Sequence, residues 1–140
     1  MNQSHKNDLI STGCNDVPKA HGGQYWPGDR DQRDFVRLYD SNDEQKNRII
    51  SKVVEALDPT VSAEERIGVG RSKLKGTGLL DLTEYGRDVH AEMEALLSAA
   101  RMGKSTVGAT LFSTTFPCHN CAKHIVSAGI NRVVFILPEE

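Results

Sequence analysis

Two short stretches, distant along the chain, constrain its fold more than anything else: Val89-His90-Ala91-Glu92 and Pro117-Cys118-His119-Asn120-Cys121. Their side chains suit a single metal centre, so the fold must bring them to one point. His90, Cys118 and Cys121 form a donor set that holds tetrahedral zinc and leaves the fourth position open to water. Glu92 lies two residues beyond His90 and can stand over the metal without binding it. Cys118 and Cys121 are three apart, so a helix places them on one face. A helix start there favours thiolate over thiol, through its dipole and its free N–H groups.

Each piece also has a plainer meaning. A lone C-x-x-C serves equally as a structural zinc knuckle or a redox pair. A histidine at a helix start is often a cap or a surface residue. His119 and His124 read as surface residues or as neighbours of the ligands. Cys14 reads as a small buried residue, with a metal-related role as the other choice. It is the joint pattern that favours an open, catalytic metal site.

The remaining sequence supplies a soluble frame. At 140 residues, with 38% hydrophobic and 26% charged side chains, the chain suits one globular domain, residues 1–140, with a core of its own. A net charge of -2 gives no general attraction to nucleic acid or membrane. No apolar run approaches the roughly 20 residues of a membrane span. Met1-Asn2-Gln3-Ser4-His5-Lys6 has no signal-peptide core, so a cytoplasmic location is expected.

Taken in order, residues 1–8 show no apolar pattern, and Leu9-Ile10-Ser11-Thr12 suits the end of a short strand before a turn at residues 13–18. Residues 19–43 read mainly as loop, closing on Ser41-Asn42-Asp43-Glu44, a capping box with Ser41 as the cap. Ile49, Ile50, Val53, Val54 and Leu57 follow at helical spacing, and Asp58-Pro59 ends that helix. Residues 60–78 carry four glycines and a basic group, Arg71, Lys73 and Lys75, and read as a loop or a weak helix whose cations are solvated or meet a substrate phosphate. His90 to about Met102 is helical, with Met93, Leu96, Leu97 and Ala100 inward and Gly103 as the stop. Residues 110–115 have strand composition, and Pro117 suits the first turn of a second helix running to Gly129. Residues 133–137 read as a buried strand. Strand, helix and strand at this spacing predict a right-handed parallel crossover in an α/β fold, with helices on a small sheet of about three strands.

The motifs resemble the zinc-dependent cytidine and deoxycytidylate deaminase superfamily, in which H-x-E is followed by P-C-x-x-C. The stretches 89–96 and 114–123 are most similar to the deoxycytidylate branch, and residues 9–18, Gln24-Tyr25-Trp26 and residues 82–87 resemble a bacterial and phage subgroup of it. Some members of that subgroup deplete deoxycytidine nucleotides as a defence against phage. The resemblance covers residues 8–137 and implies a cytidine-deaminase-like α/β fold. It implies that His90, Cys118 and Cys121 bind Zn2+, that Glu92 is the catalytic proton shuttle, and that Asn15 and the backbone of Ala91 contact substrate. Where that branch usually has Asn after the metal-site Glu and Met, this chain has Glu94.

The resemblance also implies a helix and strand before Leu9 and a helix after Leu137, so the chain reads as truncated at both ends. The sheet edge beside residues 9–12 is then expected to be unpaired. A partner carrying the missing segments, or a homo-oligomer, is expected to complete it. The implied reaction is hydrolytic deamination of a deoxycytidine nucleotide, dCMP or dCTP. The alternatives are a catalytically inactive or partner-dependent zinc-binding fragment, and a deaminase of another cytosine or adenine compound. Nucleic acid is not expected as a partner.

Overall fold

The computed structural model describes residues 8–136. In chain order the elements are α1 (Asp34–Arg37), α2 (Ser41–Leu57), α3 (Arg66–Lys73), a 3-10 turn (Leu79–Asp81), α4 (Ala91–Arg101), β1 (Thr110–Ser113), α5 (His119–Ser127) and β2 (Arg132–Phe135). The described residues fall into two compact units, one made of residues 8–31 with 88–136 and the other of residues 32–87. Length and composition had suggested one domain.

The 32–87 unit is a helix pair with loops tied to it. Asp40, not Ser41, caps α2: its carboxylate accepts from the N–H groups of Asn42 at 2.8 Å and Asp43 at 3.1 Å. Aspartate is among the strongest N-caps, and it stands one residue ahead of the expected box. The Ser41 hydroxyl instead donates to Tyr85 O at 2.8 Å, and Asn42 reaches Leu82 O at 2.9 Å. Ile50 and Val54, one helical turn apart, form the buried seam of α2, whereas Leu57 at its end is exposed.

Against that seam lies α3, within the stretch whose sequence suits a loop or a weak helix. A helix forms there despite its glycines because Gly70 lets the backbone approach Ile50 and Val54. Arg71 faces α2 as well, bonding Asn47 Oδ1 at 2.9 Å and standing 3.4 Å from Asp43. Its charge therefore serves the helix pair.

In the other unit, α4 and α5 pack around Leu96, Leu111, Cys121 and Ile125, with Met93, Ile130 and Val133 alongside. Strands β1 and β2 pair in parallel, Thr110 opposite Arg132 through Ser113 opposite Phe135, with α5 as the crossover between them. Gly103 and Gly129 follow the two helices at φ 67° and 75°, the left-handed stop that glycine adopts without strain. Along α4 the inward face is Glu92, Glu94, Leu96 and Ala99, while Leu97 and Ala100 point outward. Two of those four are carboxylates, which hydrophobic periodicity does not detect.

The described sheet has two strands where about three were expected. Residues 9–12 belong to no ladder among the described residues, and Leu9 is exposed. A groove of about 1390 Å³ runs between residues 8–13 and β1, so neither backbone reaches the other to pair. The segment is held by α4 instead. Ser11 Oγ donates to Ala95 O at 2.7 Å, and Asp16 and Val89 form an antiparallel bridge at 2.8 and 3.3 Å. Leu137, placed by the sequence in the last strand, lies outside the described residues.

Candidate active site and metal centre

The Asp16–Val89 bridge sets the chain entering α4, and the next residue, His90, is the N-cap of that helix. Cys118 is the N-cap of α5, and Cys121 lies in its first turn. Pro117 thus precedes the helix instead of opening it. Neither cap side chain bonds its own helix. Both turn toward each other: His90 Nδ1 stands 3.3 Å from Cys118 Sγ and 3.5 Å from Cys121 Sγ. These are close to the edge of about 3.6 Å that a histidine nitrogen and a thiolate share around tetrahedral zinc. His90, Cys118 and Cys121 form a group that can hold a metal ion, their donor atoms all within 4.8 Å of one another.

Glu92 is buried in the first turn of α4, beside the donors. Its Oε2 accepts from the Cys121 thiol at 3.6 Å, and its Oε1 accepts from the Ser113 hydroxyl at 3.2 Å. Burial, with Cys118 and the Glu92 charge beside it, pushes the Cys121 thiol up to about 12. A carboxylate and two potential thiolates crowded in this way are short of a cation. A divalent ion reverses the balance, since coordination deprotonates a thiol outright. On the other side of the imidazole, Asp88 Oδ2 lies 4.0 Å from His90 Nε2. Two helix N-termini converge on the same point, which favours the anionic ligands further.

The donors open into a pocket of about 480 Å³ lined by Gly13, Asn15, Ala91, Glu92, Ser113 and Phe116, among others. That is within the usual range for a small-molecule site. Asn15 Oδ1 accepts from Ala91 N–H at 2.6 Å, so the two residues expected to contact substrate also bond each other across the pocket wall. Gly13 makes this close approach possible, because a Cβ there would collide with the backbone of Ala91 and Ala95. Phe116 is exposed at the pocket and packs edge-on against Phe135, ring centres 5.0 Å apart.

Cys14 is not buried as expected. It is exposed in the pocket wall, where it accepts from Gln24 Nε2 at 2.6 Å, and it stands outside the metal group. His119 and His124 are exposed and also outside that group. Glu94 does not line the pocket and pairs with Arg101, whose side chain packs against Gly22. Sequence reasoning gave no role to Ser113 or Asp88. Nothing in spacing marks a strand-end serine as the neighbour of a carboxylate 21 residues earlier.

Comparison with known proteins agrees with this geometry. A family model described as "Cytidine and deoxycytidylate deaminase zinc-binding region" matches residues 3–137. The chain belongs to that family. Zinc is therefore the metal that His90, Cys118 and Cys121 are placed to hold. Among similar proteins, the deoxycytidylate deaminase of Enterobacteria phage T2 is 48% identical over 48 residues, 34% of this chain and 26% of that protein. The Bacillus subtilis ComE operon protein 2 is 43% identical over 49 residues, 35% of this chain and 26% of that protein. The human deoxycytidylate deaminase is 35% identical over 54 residues, 39% of this chain and 29% of that protein. The matches thus span only about a quarter of the length of these relatives. No solved structure matches the chain.

Proposed function

We propose that the chain is a zinc-dependent hydrolase that deaminates a deoxycytidine nucleotide, dCMP before dCTP, to the deoxyuridine nucleotide and ammonia. One observation carries this reading: a buried carboxylate, Glu92, stands beside an open three-donor metal group at the floor of a nucleoside-sized pocket. A closed structural site has four protein donors and no use for such a carboxylate. The preference for dCMP follows the names of the relatives from phage T2 and human.

Zinc held by His90, Cys118 and Cys121 supplies Lewis acidity that makes water nucleophilic near neutral pH. Glu92 takes a proton from water as it adds to the amino-bearing carbon, and passes it to the ring nitrogen of the base. The same carboxylate then takes the second proton from the new hydroxyl on that carbon and delivers it to the amino group, so that the C–N bond breaks, the carbonyl forms and ammonia leaves. Water and the cytosine nucleotide are consumed, and the uracil nucleotide and ammonia are formed. Asn15 and the Ala91 backbone line the wall where sugar and pyrimidine carbonyl are to be held.

A free nucleotide suits a chain of net charge -2 better than nucleic acid does. Among the described residues no helix is long and apolar enough to cross a membrane. The three cysteines are free thiols, the state that the cytoplasm maintains. The test is Glu92→Ala, assayed for bound zinc and for ammonia release from dCMP. Zinc should stay and turnover should fall by about 10²-fold or more. Near-normal deamination by this variant overturns the mechanism.

A further inference from the structure

We infer that Ser113 is a positioning residue for the Glu92 carboxylate, a role that rests on the deaminase reading above. Glu92 is buried, and a buried carboxylate needs donors to hold its charge in one place. Its two oxygens meet different neighbours. Oε2 faces the Cys121 sulfur at 3.6 Å, on the metal side. Oε1 accepts from the Ser113 hydroxyl at 3.2 Å, on the pocket side. A thiol is a weak donor, and the Ser113 hydroxyl at 3.2 Å is the stronger hold on the orientation of the carboxylate.

The placement of Ser113 suits that task. It is the last residue of β1, opposite Phe135 of β2, and its backbone is set by the parallel ladder. One residue further, the chain leaves the sheet for the segment 114–117 that leads to the ligand cysteines. Sheet and α4 therefore meet through this hydroxyl at the point where the proton carrier must be steady. A carboxylate free to rotate would spend part of its time with neither oxygen aimed at water or ring nitrogen, and loose positioning costs turnover more than binding. Ser113 touches the carboxylate, and it acts on the reaction through it.

The test compares the whole chain as wild type, Ser113→Ala, Ser113→Thr and Glu92→Gln. In the metal-free proteins, carbon-13 NMR of the glutamate carboxylates identifies the Glu92 signal as the one absent from Glu92→Gln. That signal should move in Ser113→Ala and return in Ser113→Thr, which keeps the hydroxyl and suits a strand. In the zinc-loaded proteins, Ser113→Ala should lower kcat for dCMP about tenfold with KM and zinc content unchanged, and Ser113→Thr should restore it. An unmoved Glu92 signal, or a wild-type kcat in Ser113→Ala, overturns the inference while leaving the deaminase reading intact. If wild-type protein releases no ammonia, the deaminase reading fails and the positioning role fails with it, and the NMR shift still reports whether the contact exists.

Discussion

Asn15 and Ala91 show how much of the site depends on single polar contacts. The Ala91 N–H is one of the unsatisfied donors at the start of α4, and the Asn15 side chain fills that need from a different part of the chain. Asn15→Ala removes a helix cap as well as a pocket wall. It should lower stability by about 1 kcal/mol and raise KM for dCMP, as read by urea denaturation and steady-state assays. At this scale the sequence was informative wherever chemistry is specific to residue type and spacing. His90, Cys118 and Cys121 were legible because few other patterns supply two thiols and an imidazole beside a carboxylate. Ser113 was not, because a hydroxyl gains its role only from the strand end that carries it.

Helices were legible where an apolar seam and a cap coincide, as in α2, whose Ile50 and Val54 repeat one turn apart. The signal of α3 is weak, a helix standing beside a loop as the choice, because that helix depends on packing against α2 instead of on propensity. Within Arg66–Lys73, Gly68 and Gly70 both lower helix propensity, and only Gly70 has a packing reason. Gly70→Ala is a direct test of that reason. Better propensity would stabilise α3, yet the added methyl collides with Ile50 Cγ2, which is fully buried. The collision should win, with a loss of about 1–3 kcal/mol in chemical denaturation. The expected third strand failed on a different ground. Residues 9–12 have strand composition, but a strand exists only with a partner in reach, and here the groove toward β1 intervenes. Sequence composition reports a preference for extended backbone and is silent on that distance.

For the whole molecule, the metal and the fold are coupled. The ligands come from the starts of α4 and α5, so an ion bound there ties together elements that otherwise meet through one small core. Chelation should lower the melting temperature of the zinc-loaded chain, and stoichiometric zinc should restore it. The metal-free chain should show a distinctive pH response. Its Cys121 thiol is pushed up to about 12 from an ordinary 9.0, so the folded state holds that proton more tightly than the unfolded state does. Stability from this group is present below pH 9.0 and is lost as pH rises toward about 12. Thermal melts of metal-free protein across that window should show the decline, and the zinc-loaded chain should not show it from this group, because its thiol is already ionised by coordination.

The family and the metal follow from the motifs, the fold and the match over residues 3–137. The central claim is chemical: that this metal group, with Glu92 beside it, turns a cytosine nucleotide into a uracil nucleotide. The direct measurement is product formation from dCMP by purified, zinc-loaded chain, followed by chromatography of the nucleotide and by ammonia release. The expected result is dUMP and ammonia in equal amounts, abolished by chelation and restored by zinc. A chain that binds one zinc ion yet forms no uracil product from dCMP, dCTP or cytidine would contradict it.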